Sequence, residues 1–166
     1  MKLKFIAAGI MAAASFNAMA VDHTLGLLDP ADPDTLSGFS TKFANSGTSI
    51  DDTWFFELLA PSSASFGAWQ TFSAPIGAIT GFTGVLIGHG NLDLSSTASS
   101  QSLSWVGDLA AGSYAVHITG VTATKNVQYT ASVSALPVPE PETYGMMLAG
   151  LALVGAAARR RAKKSA

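Results

Sequence analysis

Two stretches late in the chain alternate apolar and polar residues with a strict period of two, and this narrows the fold more than any other feature. Over residues 113–119, Tyr114, Val116 and Ile118 fall on one face, and Ser113, Ala115, His117 and Thr119 on the other. Over residues 127–134, Val127, Tyr129, Ala131 and Val133 alternate with Gln128, Thr130, Ser132 and Ser134. A period of two belongs to strands with one buried and one solvated face, as in antiparallel sheets. The residues between them, 120–126, have hairpin length. Leu103 and Trp105 alternate with Ser102 and Ser104, and residues 108–112 supply a turn before Tyr114.

Further upstream the pattern is coarser. Trp54, Phe56 and Leu58 share one face while Phe55 and Leu59 put apolar groups on the other, which suits a central strand. Residues 65–72 and 78–87 are apolar with interspersed glycines, and they declare no register. Gly88-His89-Gly90-Asn91 is a turn signal, and the serine-rich residues 95–101 read as an exposed loop. Nothing between the two ends has helical periodicity. The expectation is an all-β fold, a single antiparallel β-sandwich of jelly-roll type over residues 21–136.

The two ends are of another kind. Lys2 and Lys4 precede an apolar stretch over residues 5–14, and Ala18-Met19-Ala20 is a small-x-small cleavage site. That is a signal peptide over residues 1–20, cut after Ala20. At the other end, residues 137–166 combine a proline-punctuated acidic stretch, an apolar run and the cations Arg159, Arg160, Arg161, Lys163 and Lys164. The run reads as a transmembrane segment over residues 144–158 with a basic tail at 159–164. It is short, because a spanning helix needs roughly 17 to 25 apolar residues. Cations after the run hold it on the cytoplasmic side and leave the sandwich outside.

Setting the ends aside changes the charge. The whole chain carries −2, but residues 21–136 hold only Lys42 and Lys125 against nine acids, a net −7. An acidic domain without a basic patch argues against nucleic acid and anionic lipid as partners. The chain has no cysteine, which excludes disulfides, thiol catalysis, cysteine-ligated zinc and lipoprotein acylation.

Few residues present themselves for chemistry. Asp29, Asp32 and Asp34 are closely spaced carboxylates that could collect Ca2+, though the stretch lacks the glycine hinge and distal glutamate of a helix-loop-helix calcium site. A solvated, proline-stiffened segment is the plainer reading. Asp51 and Asp52 could hold a metal or sugar hydroxyls, or simply start a strand. No metal set is assigned with assurance, and no other cofactor is expected. His23, His89 and His117 stand apart from one another, without zinc spacing. There is no nucleophile elbow and no phosphate loop, so no catalytic residue is assigned and no enzyme is expected. Trp54 and Trp105 read as core, and Trp69 is the tryptophan most open to stacking on a ligand.

The stretch Val138-Pro139-Glu140-Pro141-Glu142-Thr143-Tyr144, the apolar run after it and the terminal cations together resemble a PEP-CTERM sorting signal. The resemblance implies export, a transient inner-membrane anchor facing the periplasm, and processing near Pro139-Glu140-Pro141 by exosortase, an integral-membrane transpeptidase-like enzyme. Delivery to the cell surface or extracellular matrix follows, in an exopolysaccharide and biofilm setting. A looser resemblance joins Ile50-Asp51-Asp52-Thr53-Trp54 to the Phe-x-Asp-x-Phe subfamily of such cargo. Only Asp52 matches there, with Ile50 and Trp54 in place of the two Phe. The first expectation is a non-enzymatic surface or matrix protein. The alternative is a module that binds extracellular polysaccharide, with Ca2+ assisting; a periplasmic hydrolase is a remote third.

Overall fold

The computed structural model describes residues 18–32, 35–73, 79–138 and 141–164. The described residues form ten strands and one helix. The strands are β1 (Ala18–Leu28), β2 (Thr35–Phe39), β3 (Ser49–Leu58), β4 (Ser62–Thr71), β5 (Ile79–Leu86), β6 (Gly90–Asn91), β7 (Asp93–Ser96), β8 (Ser100–Leu109), β9 (Gly112–Thr122) and β10 (Thr130–Pro137). The helix α1 (Pro141–Lys164) follows.

The strands build two five-stranded sheets, ordered β1-β3-β9-β5-β6 and β2-β10-β4-β8-β7. They pack face to face as a sandwich. Every ladder is antiparallel except that of β1 with β3, which is parallel, so the expected all-antiparallel pairing fails at one edge.

The alternation translates directly into burial. On β3 the inward residues are Ile50, Asp52, Trp54, Phe56 and Leu58; on β9 they include Val116 and Ile118. The second sheet faces them with Ala64, Phe66 and Ala68 of β4 and Ala131, Val133 and Ala135 of β10. Its four alanines offset the bulk of the first sheet's aromatics, the alternation of large and small that fills a sandwich. Gly38 of β2 serves the same end, since a Cβ there would sit 2.9 Å from the Trp54 ring.

The ambiguous stretches prove to be β4 and β5. β5 carries a register shift between Thr80 and Thr83, with Gly81 at φ +63°. Ile79 and Phe82, three apart, are therefore both buried. A bulge of this kind breaks period two, which is why the sequence declares no register there. The 120–126 connection does not make a hairpin: β9 and β10 lie in opposite sheets. Apart from β5 to β6 and β7 to β8, each strand is followed by one in the other sheet. The serine-rich loop is shorter than expected, because β7 and the start of β8 pair as a hairpin around residues 97–99.

Candidate functional site

Two places gather the residues singled out in the sequence: the tail, and the acid beneath the first strand.

The tail leaves the sandwich at β10, and Pro141 opens α1. Proline suits the first turn of a helix, where its missing N–H costs no hydrogen bond. Along the helix Glu142 falls in the first turn and Arg159, Arg160, Arg161, Lys163 and Lys164 toward the C-terminal end. Pro139 and Glu140 lie outside the described residues, as do the first 17 of the chain and Asp34. The exposed apolar groups of α1 include Met146, Met147, Leu148, Leu151, Leu153 and Val154. At 3.6 residues per turn these spread over about 220° of the circumference, a broader band than the stripe a helix docks on a sheet. Among the described residues no helix is long and apolar enough to cross a membrane.

Asp51 and Asp52 are adjacent on β3 and therefore point to opposite faces, so one ion cannot take both. Asp51 lies on the solvent face, half exposed, and is hydrogen-bonded to His117 Nε2. Asp52 is fully buried. Its Oδ2 accepts a hydrogen bond from Tyr129 Oη at 2.6 Å, and Trp54 Nε1 donates to that same Tyr129 oxygen at 2.9 Å. His23 of β1 stacks on the Trp54 ring, centroids 4.2 Å apart, and brings its Nε2 to 3.8 Å from Asp52 Oδ2. Neither Asp52 Oδ1 nor His23 Nε2 has a hydrogen-bond partner among the described residues.

Burial pushes the Asp52 carboxyl above its ordinary range, against the opposing pull of the Tyr129 hydroxyl and of His23. The Tyr129 hydroxyl is driven far upward by burial and by the neighbouring carboxylate. The cluster joins β1, β3 and the segment leading into β10, and so ties the two sheets together. Asp52 is sealed from solvent and packs as part of the core.

The remaining candidates are dispersed. Asp29 Oδ1 accepts from Ala31 N at 2.9 Å, and Asp29 O from Asp32 N at 3.0 Å, so this carboxylate closes its own turn. Among the described residues no three His, Asp or Glu side chains converge as a metal-holding group. His89 packs near Tyr114 and Trp105. Trp54 is core, Trp105 is half-buried against the core, and Trp69 is exposed.

The Asp52 cluster is absent from the sequence reading, although one signal points to it. Asp52 shares the parity of Trp54, Phe56 and Leu58, so an inward alternation carries it into the core. Nothing in the spacing announces that His23 and Tyr129 meet it there.

Comparison with known families locates a PEP-CTERM protein-sorting motif over residues 137–161. The chain carries this sorting signal. Its limits run from the last residue of β10 to the first three arginines of the basic tail, the very segment the sequence sets apart. No curated protein matches the chain. Among solved structures the chain is similar to the pre-peptidase C-terminal domain of collagenase from Bacillus anthracis, at 13% identity over 69% of this chain and 93% of that one, TM-score 0.37. It is also similar to a CBM35 from Cellvibrio japonicus, at 18% identity over 61% and 75% respectively, TM-score 0.36. A third is PliG of Aeromonas hydrophila, a periplasmic inhibitor of g-type lysozyme, at 16% identity over 70% and 99%, TM-score 0.33. Likenesses at this level carry no functional argument.

Proposed function

We propose that this PEP-CTERM protein is a non-enzymatic component of the cell surface or extracellular matrix, delivered as an acidic β-sandwich into an exopolysaccharide setting. The single observation that carries the reading is the sorting motif at residues 137–161. That motif makes the chain an exported substrate of exosortase.

The finer steps follow from the two ends. A leader over residues 1–20 directs export, with cleavage after Ala20. β1 starts at Ala18, so that cut shortens the strand by its first three pairs and keeps the ladder from Val21↔Asp52 onward, including His23↔Trp54. α1 then holds the chain in the inner membrane with its cations inside. Fifteen apolar residues rise about 22 Å as helix, against a hydrocarbon core of about 30 Å. So short an anchor suits a stop that ends in cleavage better than a permanent tether.

The test compares intact mass and location of wild type and Glu140→Ala in the producing cell. Wild type loses its tail and leaves the inner membrane; the variant keeps the tail and stays. Identical mass and distribution for both would reduce the tail to a plain anchor.

A further inference from the structure

Register places two exposed aromatics in one line across the outer face of the second sheet. Thr130 of β10 lies opposite Phe39 of β2 on one side and opposite Trp69 of β4 on the other. Trp69 in turn lies opposite Ser102, and Ser102 opposite Ser95. Phe39, Thr130, Trp69, Ser102 and Ser95 thus form a row spanning all five strands, perpendicular to them. Phe39 is 70% exposed and Trp69 42%. The next row continues through Ser132, Gly67 and Ser104, which lie opposite one another in the same way. The two aromatics are two strand spacings apart, roughly 10 Å.

The geometry points to this row as a binding platform for a linear neutral polysaccharide, its sugar rings stacked on Phe39 and Trp69 and its hydroxyls met by the serine and threonine hydroxyls beside them. The inference deepens the proposed role by naming the delivered sandwich's ligand, and it rests on that reading only for where the ligand is met.

Four observations favour this occupant. Aromatics in strands normally bury large apolar areas, yet both of these sit on the solvent face, where nothing among the described residues covers them. The group between them is a hydroxyl, and the next row offers hydroxyls apart from Gly67 and the carboxylate of Asp93 at the β7 edge, so the surface is amphipathic row by row and not a contiguous apolar patch of the kind that docks proteins. A small molecule requires a concave site that encloses it, whereas this row is open at both ends and crosses the whole sheet, which fits an extended chain. Charge selects among such chains. The row holds no ionisable side chain, Asp93 and Asp108 lie off it on the same sheet, and the domain's net −7 repels a polyanion.

Affinity electrophoresis of the full chain tests the platform, in native gels cast with a neutral β-glucan, a neutral mannan, an anionic polyuronate or the extracellular polysaccharide of the producing cells. Retardation is expected in a neutral gel and not in the polyuronate. Phe39→Ala and Trp69→Ala should each weaken it about tenfold, the loss of one stacked ring. Val106→Ala, exposed on the same face but off the row, should leave it unchanged. Should Trp69→Ala melt early, Trp69→Thr, a β-branched residue suited to an exposed strand, takes its place.

Four results would each overturn the proposal: no retardation in either neutral gel or in the cells' own polymer, retardation confined to the polyuronate, binding undiminished in the double variant Phe39→Ala with Trp69→Ala, or a wild-type dimer in sedimentation that this double variant loses. The last assigns the row to self-association. In the producing cell the double variant should still be exported and trimmed. If wild type itself goes untrimmed, the sorting reading fails while gel retardation stands or falls separately.

Discussion

Asp52 gives this protein a pH-dependent contribution to its stability. Its carboxyl is raised above its ordinary 3.8, chiefly because burial disfavours the charged form. In the window between 3.8 and the raised value the folded state therefore binds more protons at this site than the unfolded state does. The stability this group contributes is fully present below 3.8 and is lost as pH rises through the folded value. Asp52→Asn removes that dependence while leaving Tyr129 Oη an amide oxygen to donate to. Urea unfolding across the acid to neutral range should show wild-type stability falling with pH relative to the variant. A constant difference between the two would mean that His23 and Tyr129 compensate the charge in full.

At the scale of the element, tight approaches between strands decide which substitutions the sandwich accepts. Gly38 faces the Trp54 ring at a distance no Cβ can share, and Trp54 is locked by its hydrogen bond to Tyr129 and its stacking on His23. Gly38→Ala should cost about 1–3 kcal/mol, the range for overpacking a filled core. Gly67, in the interior of β4, would place a Cβ 3.7 Å from its nearest neighbour, an ordinary contact, so Gly67→Ala should stay within about 0.5 kcal/mol of wild type. Denaturant midpoints at constant m-value separate the two.

The same scale explains what could be read from the sequence. β3, β9 and the inward residues of β10 were legible because unbroken alternation maps straight onto burial. β1 and β5 were not, because each carries a register shift, at Thr24/Gly26 and Thr80/Thr83, and one extra residue reverses the parity that follows. Residues 120–126 misled for a different reason: connection length alone cannot tell a turn within a sheet from a crossing between sheets. Phe39 went unnoticed as Trp69's companion because only strand order brings β2 and β4 to either side of β10.

For the whole molecule, sandwich and tail are separable. From Tyr144 to Gly155 the described side chains of α1 are exposed, and the core is drawn entirely from the strands and their connections. Removing everything after Val138 should shift Tm by no more than about 2 °C, well below what a 1 kcal/mol loss produces in a domain this size. Scanning calorimetry of the truncated and full chains in detergent makes the comparison. A larger drop would show that the tail supports the fold and that processing weakens the product. Without a cysteine, the same sandwich should melt alike with and without reductant.

The strand order also sets a timetable. β10 is the last strand to be made, yet it sits inside its sheet, flanked by β2 and β4. The second sheet therefore stays open, its halves unjoined, until residues 130–137 have arrived. Pro139 follows two residues after β10 ends. The sorting motif thus begins on the last residue of the strand that closes the sheet, so the sandwich cannot complete its fold before the edge of its own address has been made.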